Sequence, residues 1–571
     1  MFFRKNAGLT AKLTHTKENP LYVVFPPAIT RYAFEAAETI SEYIRFMTGI
    51  APVRTCEAKI PEGADAIVLG DTALPENRAE LEGLNYGECR ITFGKNRLIC
   101  ASYTDETLKQ AAETVIDNMT YENGTLTVTA PEHALFITLP GYISYIPVCD
   151  AGTQVAYRES SKQCTQIVVT GMTAETYEAY LGKCQNEGFE ILSRNEITGN
   201  LFCRMRKYAV SLYVYFTPYN GTVRILCEPI YNMHKEEDVD AHPAVCNPLM
   251  TVLGGRWSTT SRYLNLDSGS GGMGYIFRLD DGRFLLVDGC MELGNYADNI
   301  MAALREQAPD PNHIVIACWF FSHTHIDHTG GFLKVVSAFA KEVEIEEICY
   351  NFPSIGDAEA YREAWNTRRM SEGAYQTFPK AAVSKLHTGE ILHYGSATVE
   401  VLCTQEDLIR QYFSVLNEGI TWNTTSMVIR LTVGGSTVFL PGDSDNWEND
   451  IMTAMYGSYL KSDILQICHH GGWGGTTELY ANVDPELAIF STSDELFPKY
   501  LQIQYNHDVV YDMHVTEVHN NADRSRVFEL PYHPTERRIP DDPKEEILYT
   551  KAKQLEALAS IENLRKEQLG K

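Results

Sequence analysis

Four side chains of metal-ligand type stand close together directly after a long apolar run. The run is Ile314 to Phe321, which is typical of a buried strand. The four side chains are His323, His325, Asp327 and His328. On an extended chain, side chains two positions apart point the same way. His323 and His325 can therefore bind one cation, with Asp327 following on the same side.

His328 breaks this alternation, because we expect the chain to turn at Thr329, Gly330 and Gly331. His328 and Asp327 can therefore face a second cation beside the first. Imidazole and carboxylate together suit zinc, manganese or iron better than calcium or magnesium. The alternative is a polar strand end with incidental histidines, but ligand-type residues rarely crowd into so short a stretch by accident.

The pattern H-x-H-x-D-H after an apolar strand resembles the signature of the metallo-β-lactamase superfamily of hydrolases. Three further stretches match what that family carries, in the expected order along the chain. They are Phe284 to Gly289 (FLLVDG), Thr437 to Asp443 (TVFLPGD) and Asp463 to Gly472 (DILQICHHGG). The paired histidines, with Asn423 and Ser426 ahead of the Gly-Asp strand, most resemble the branch that contains the DNA-uptake protein ComEC and phosphorylcholine esterases.

The resemblance covers roughly residues 250–530 and implies a set of metal ligands there. The expected ligands are His323, His325, Asp327, His328, Asp443 and His469. His323 and His325 would hold metal one, whereas Asp327 and His328 would hold metal two together with one of the two adjacent histidines. We favour His469 over His470 for that place because His469 ends the apolar strand. Asp443 is the expected bridge, since one carboxylate can span two cations about 3.5–4 Å apart.

Further residues are expected to support these ligands or to act on the substrate. Asp288 would fix the ligand loop or the tautomer of a ligand histidine. The catalytic candidates are Asp327, on metal two, and His470, which would either support the ligands from outside or donate to an anionic substrate. Either His470 or a water on metal two would protonate the leaving group.

The chain departs from the family pattern at Asn423, which has Ser426 close by. Most two-metal members carry a further histidine at this place. An amide oxygen is a poorer zinc ligand than imidazole. We therefore expect one or two Zn²⁺ ions, with a weaker, more exposed or manganese-filled metal one, and iron or a single-metal site as alternatives.

Such a centre implies hydrolysis, because a bound metal lowers the pKa of water from about 16 to about 7. The expected function is a metal-dependent hydrolase that acts on a small phosphodiester or a similar ester. One alternative is a hydrolase of lactones or amides, β-lactams included. Another is a degenerate metal scaffold that serves as a glycan-binding or assembly protein.

Composition limits the partners and the compartment. The 571 residues carry a formal net charge of −27, which disfavours extended nucleic acid as a partner. Apolar runs are too short to span a bilayer, so no membrane partner is expected. The 14 cysteines lack CxxC pairs and mostly sit in apolar runs, which favours buried thiols in the cytoplasm. A signal segment removed from the chain is the alternative.

The expected fold class is α/β, a metallo-β-lactamase αββα sandwich preceded by two smaller α+β domains. Residues 1–140, with a helix over 31–47, resemble the accessory domain that precedes the barrel in several glycoside hydrolases and glucuronidases. Residues 141–245 are expected to form a second α+β unit with a strand meander. Residues 250–535 carry the sandwich, and 541–571 a charged helix that docks on a domain or on a second subunit, which would make a homo-oligomer.

Three local predictions concern the surroundings of the centre. Residues 335–382 have a helical, aromatic-rich pattern that predicts an insertion, either a lid or a packed surface layer. His387 and His393 flank a Thr-Gly-Glu turn and are left out of the ligand set. Alternation over residues 513–518 predicts an edge strand, so the histidines near it are expected to be structural.

Overall fold

The computed structural model describes the greater part of the chain. The described residues are 9–26, 31–81, 89–102, 105–130, 137–138, 145–161, 164–208, 210–234, 236, 242–255, 272–378, 381–408, 421–522, 524–534 and 536–542. Together they form five β-sheets with flanking helices, an α/β protein. The expected tail helix lies outside the described residues from position 543 on.

The cysteines and the apolar character of the helices bear on two expectations for the chain. All 14 cysteines are free and most are buried, as expected. Within the ranges given above, no helix combines the length and the apolar character needed to cross a bilayer.

The first part of the chain, residues 9–138, contains two sheets. Its strands are β1 (Leu9–Thr14), β2 (Tyr22–Phe25), β3 (Val53–Cys56), β4 (Ala66–Leu69), β5 (Cys89–Gly94), β6 (Arg97–Ser102), β7 (Met119–Glu122), β8 (Thr125–Ala130) and β9 (Ile137–Thr138). Its helices are α1 (Arg31–Thr48), α2 (Pro75–Leu81) and α3 (Asp105–Asp117). One sheet has the order β3-β2-β4-β6-β5-β9 and the other β1-β8-β7. The predicted helix at 31–47 is present as α1, and it buries Ala37, Ile40 and Ile44.

The next part, residues 145–232, is built on one six-stranded antiparallel sheet. Its strands are β10 (Thr153–Ser161), β11 (Cys164–Thr170), β12 (Glu190–Ile197), β13 (Asn200–Lys207), β14 (Val210–Thr217) and β15 (Thr222–Pro229), and α4 (Ala174–Asn186) packs on it. Thr173 caps α4 by accepting a hydrogen bond from the backbone N–H of Thr176 at 3.3 Å. Strands β13, β14 and β15 form the predicted meander.

The last part holds two large sheets. Its strands are β16 (Leu249–Val252), β17 (Gly274–Arg278), β18 (Phe284–Asp288), β19 (Ile314–Phe321), β20 (Val343–Ile345), β21 (Glu347–Tyr350), β22 (Ala382–Lys385), β23 (Ile391–Tyr394), β24 (Ala397–Cys403), β25 (Val428–Val433), β26 (Ser436–Leu440), β27 (Ile464–Gln466), β28 (Leu487–Phe490), β29 (Glu517–Asn520) and β30 (Arg526–Glu529). Its helices are α5 (Tyr296–Gln307), α6 (Ile326–Ala338), α7 (Ile355–Ala360), α8 (Ala364–Thr377), α9 (Asn446–Tyr456), α10 (Thr477–Val483), α11 (Phe497–Tyr500) and α12 (Gln504–His507).

These sheets stack face to face with helices outside them. The eight-stranded sheet has the order β22-β21-β19-β18-β17-β16-β30, with β20 beside β19, and the seven-stranded sheet runs from β23 to β29 in chain order. One apolar core lies between them and joins Phe277 of β17 to Leu431 of β25. A second core packs Ile300 of α5 and Phe332 of α6 on the first sheet, and a third includes Met452 of α9. This is the αββα layering that the sequence predicts.

The expected turn at Thr329 to Gly331 is wrong. Helix α6 begins at Ile326 and runs through both glycines. They lie where the helix meets the loop after β18: a Cβ on Gly331 would collide with the backbone of Gly289, and one on Gly330 with the backbone of Glu292. The glycines therefore serve close packing, not a change of chain direction.

Two other local predictions are corrected. The segment 335–382 is not helical throughout, because β20 and β21 extend the parallel part of the first sheet before α7 and α8. The edge strand expected at 513–518 is β29, which begins only at Glu517 and does end its sheet. The residues before β29 form α12 and a π-helical turn, Asp508–Asp512.

Candidate metal centre

The site residues follow the carboxyl ends of four strands, two from each central sheet. Strand β18 ends at Asp288, and β19 is followed by His323. Strand β26 is followed by Asp443, and β27 by the histidines at 469–470. Strands β18 and β19 run parallel, as do β26 and β27. Because carboxyl ends of parallel strands meet at one edge of a sheet, each sheet delivers its polar residues to the same end of the sandwich.

The start of α6 places three of the expected ligands. His325 is the N-cap of this helix, and Asp327 and His328 lie in its first turn. His328 is fully buried, and its ring lies 4.3 Å from that of His323, measured between centroids. The helix, and not strand alternation, therefore turns His328 toward the cluster.

Asp443 lies at the middle of the cluster, and its two carboxylate oxygens face different histidines. Its Oδ1 lies 3.1 Å from Nε2 of His328 and 3.7 Å from Nε2 of His470. Its Oδ2 lies 3.8 Å from Nε2 of His323 and 3.6 Å from Nε2 of His469. Burial alone would raise the pKa of Asp443, but His328, His469 and His470 hold it well below its usual range. The group is therefore a carboxylate with one oxygen on each side of the cluster.

One side of the cluster collects Asp327, His328 and His470, whose ligand atoms all lie within 4.8 Å of one another. Nε2 of His470 is 3.4 Å from Oδ2 of Asp327. Nε2 of His328, Nε2 of His470 and Oδ1 of Asp443 are buried and close together, but none of them makes a well-aligned hydrogen bond within the described residues. Buried polar atoms are normally paired. Three such atoms close together fit a cation, because a metal accepts lone pairs that no proton donor is using.

The other side begins with His323 and His325. Nε2 of His323 and Nδ1 of His325 are 2.9 Å apart. His323, His328 and Asp443 form a second group whose ligand atoms lie within 4.8 Å. Burial lowers the pKa of His323 well below its usual value, and the neighbouring His328 and His325 lower it further. The ring is thus neutral, which is the form that binds a metal.

Asp288 orients His328 from outside the cluster. Its Oδ2 lies 2.7 Å from Nδ1 of His328, and its Oδ1 accepts a hydrogen bond from the backbone N–H of Ser322 at 2.8 Å. Asp288 has a φ of 57°, a left-handed conformation that is unusual for a residue with a side chain. The carboxylate so placed fixes the His328 tautomer with Nε2 toward the cluster.

A second histidine is oriented from outside in the same manner, and a third lies near a carboxylate outside the cluster. Nδ1 of His470 donates to the backbone carbonyl of Ser491 at 2.8 Å, which leaves Nε2 facing the cluster as an acceptor. Nε2 of His325 faces Oε1 of Glu363 at 3.7 Å, which leaves Nδ1 facing His323. Glu363 precedes α8, and burial together with the nearby Asp327 raises its pKa.

The two adjacent histidines lie on opposite sides of Asp443. His470, and not the favoured His469, meets Asp327 and His328. Strand β27 ends at Gln466, and both histidines then adopt left-handed conformations, with φ of 46° and 58°. The expectation that His469 ends the strand was therefore wrong, and this sharp turn decides where each ring points.

Asn423 and Ser426 do lie beside the His323 side of the cluster. Asn423 is part of a 3₁₀ turn, Trp422–Thr425, and its Nδ2 lies 3.2 Å from Nε2 of His469. The hydroxyl of Ser426 donates to the carbonyl of Asn423 at 2.7 Å and accepts from the backbone N–H of Asp443 at 3.2 Å. Ser426 therefore ties the Asn423 turn to the loop that carries the central carboxylate.

The residues present fit a transition metal. Imidazole nitrogens and carboxylate oxygens converge, and the unpaired atoms belong to them. Such a donor set suits zinc, manganese or iron, whereas calcium and magnesium prefer oxygen ligands alone.

Glu363, Ser322 and Ser491 complete the site but carry no signal in the sequence. Glu363 lies inside the segment expected to be an insertion, and Ser491 is reached only through its backbone carbonyl. His387 and His393 contact other residues: His387 lies between Glu406 and Glu228, at 2.8 Å from each, and His393 lies 3.3 Å from the hydroxyl of Thr398.

Comparison with known proteins gives distant similarities. No protein-family profile matches the chain. A stretch of 71 residues is 32% identical to the competence protein ComA of Neisseria gonorrhoeae. That match spans 12% of this chain and only 10% of ComA.

Solved structures show weak likeness over part of the chain. CmlA, a diiron β-hydroxylase from Streptomyces venezuelae, is 12% identical with a TM-score of 0.29, over 50% of this chain and 55% of CmlA. Yeast PDE1 is 11% identical with a TM-score of 0.27, over 56% of this chain and 96% of PDE1. A β-lactamase domain protein from Burkholderia ambifaria is 13% identical with a TM-score of 0.21, over 36% of this chain and 59% of that protein. Because these TM-scores are low, the function is argued from the geometry of the centre.

Proposed function

We propose that this protein is a metal-dependent hydrolase of the metallo-β-lactamase superfamily and that its substrate is a small phosphodiester or a similar ester. The observation that carries the proposal is the buried carboxylate of Asp443, with two histidines facing each of its oxygens. A carboxylate placed between two groups of ligands is the arrangement that two-metal hydrolytic sites use.

The proposed roles follow from the contacts. Bound metals would supply a water of lowered pKa and polarise the oxygen of the bond under attack. Asp327, His328 and His470 would hold one cation, and His323 and His325 would hold the other. His470 is here a ligand and not the proton donor, which leaves a water on metal two as the other candidate donor, because Nδ1 of His470 is bonded to Ser491 and Nε2 faces two carboxylates.

The surroundings favour a small substrate. The formal net charge of −27 repels a long polyanion, whereas a short one would meet less of that repulsion on its way to bound metals. Three partly or largely exposed tryptophans lie on segments that carry site residues. They are Trp365 after Glu363, Trp447 after Asp443 and Trp473 after His470, at 73%, 38% and 42% exposure. Such side chains offer apolar faces to the organic part of an ester.

The test is turnover of three model substrates by protein loaded with zinc or manganese: bis-p-nitrophenyl phosphate, nitrocefin and an aryl lactone panel. We expect the phosphodiester to be hydrolysed fastest. Asp443→Asn should lower its rate by at least about 100-fold, the order seen when an electrostatic group is removed from an active site. Asp298→Asn, an exposed change on α5, is the matched control and should leave the rate unchanged.

Other outcomes separate the alternatives. Faster hydrolysis of nitrocefin or a lactone would replace the substrate class while keeping the metal-dependent hydrolase. Full activity and full metal content in Asp443→Asn would contradict the proposal altogether.

A further inference from the structure

The pair His469 and His470 is unusual in its backbone. Both residues are left-handed, with φ of 46° and 58°. Residues with a Cβ rarely adopt this conformation, so two in succession persist only where the surroundings hold them. Here the consequence is that neighbouring rings face opposite oxygens of one carboxylate, Oδ2 of Asp443 for His469 and Oδ1 for His470.

The contacts of His470 place it as a ligand on the Asp327 side of the centre, whereas His469 has no contact that places it there. Nε2 of His469 lies 3.6 Å from the same carboxylate oxygen that faces Nε2 of His323 at 3.8 Å. Its other close polar neighbour is Asn423, at 3.2 Å. His469 therefore lies on the side where, by resemblance, most two-metal members carry a histidine and this chain has an amide.

Asn423 is itself incompletely bonded. Its Oδ1 is buried and has no hydrogen-bond partner among the described residues. The turn that carries it is held in place by Ser426, which also contacts the Asp443 loop. The Asn423 side chain and the His469 ring, which come from different loops, therefore meet at the same place.

We propose that His469 supplies to the His323–His325 side the imidazole that is lacking at position 423, so that two consecutive histidines bind different cations. This rests on the proposed function, because it requires a two-metal centre. Metal one would then have His323, His325, His469 and Asp443 as ligands, with Asn423 beside His469. Metal two would have Asp327, His328, His470 and the other oxygen of Asp443.

The competing role for His469 is that of a substrate donor. A donor would leave the metal content unchanged when it is removed, and would alter only turnover. Metal stoichiometry therefore separates the two roles without reference to activity.

The experiment measures zinc per chain by mass spectrometry after gel filtration, and repeats it with cobalt, whose visible absorption reports the ligand set of each site. The unaltered protein should bind about two equivalents. His469→Ala should lose about one, with a loss of part of the cobalt absorption. Asn423→His in the His469→Ala background should restore the second equivalent, because the new imidazole enters the space that the removed ring leaves. His393→Ala, an exposed change on β23, is the control and should bind as the unaltered protein does.

The outcomes distinguish this inference from the function on which it rests. Two equivalents in His469→Ala, or failure of the added histidine to restore binding in a variant with unchanged circular dichroism, would overturn the inference and leave the hydrolase intact. One equivalent in the unaltered protein would also overturn it. No metal in the unaltered protein would overturn both.

Discussion

Asp443 organises the centre because one fully buried carboxylate touches both groups of histidines. Two of the rings that face it are held through their other nitrogen by a group outside the cluster. Asp288 holds His328, and the carbonyl of Ser491 holds His470. The rings are therefore directed before any cation arrives, which lowers the entropy lost on binding.

Asp288 gives the most direct test of this orientation. We expect Asp288→Asn to weaken metal binding by about 10–100-fold, the usual effect of losing a group that orients a ligand histidine. An amide that turns its NH₂ toward Nδ1 of His328 would favour the other tautomer, with a proton on Nε2. Competition with a coloured chelator measures the change, and Asp298→Asn serves again as the exposed control. Unchanged affinity in Asp288→Asn would contradict the assigned role.

At this scale the sequence predicts the membership of the cluster better than its geometry. The H-x-H-x-D-H spacing, the Gly-Asp and the histidine pair identify the residues that meet in the fold. The choice between His469 and His470 depends on two left-handed residues that no pattern of residue types specifies. The sequence does not identify Glu363, because this residue reaches His325 from a distant helical segment and forms no local spacing pattern with it.

Among the elements, the buried ion network around His387 joins the antiparallel sheet of residues 153–229 to the sandwich. Nε2 of His387 bonds Glu228 of β15, and Nδ1 bonds Glu406 in the turn after β24. Burial alone would lower the pKa of His387, but the two carboxylates raise it to about 10. The ring is thus an imidazolium that donates from both nitrogens.

This network predicts a pH dependence of stability. The folded pKa of about 10 lies above the unfolded one, so the stabilisation is fully present below about pH 6.5 and is lost as the pH rises toward 10. His387→Gln should lower the free energy of unfolding by about 3–5 kcal/mol, the order for breaking a buried ion pair. It should also flatten the decline between pH 7 and 10, as followed by thermal denaturation.

His393→Gln, an exposed change nearby in sequence, should keep the full decline. A variant at 387 with an unaltered pH profile would contradict this account of the network.

Long elements with one strong pattern were predictable, and short ones between them were not. Helix α1 and the meander of β13 to β15 match the predictions made from the sequence. Strands β20 and β21 were missed because each is only three or four residues long and lies between helical segments. Helix α6 was misjudged because two glycines usually mark a turn, whereas here they permit close packing.

Over the whole molecule, the core is shared more widely than the order of segments suggests. Phe202 of β13 and Tyr215 of β14 belong to the same apolar cluster as Met452 of α9 and Leu465 of β27. A cluster that joins two segments so far apart in sequence cannot be read from periodicity, which reports only which face of an element is apolar. The αββα layering, in contrast, is what the family resemblance of the motifs implies.

The central claim is that two cations bind on either side of Asp443. The most direct measurement is an anomalous difference map from crystals of the zinc-loaded protein, recorded on both sides of the zinc absorption edge. The account predicts two peaks about 3.5–4 Å apart, one near Asp327 and His470 and one near His323. A map with no peak beside Asp443, from protein shown to carry zinc in solution, would contradict it.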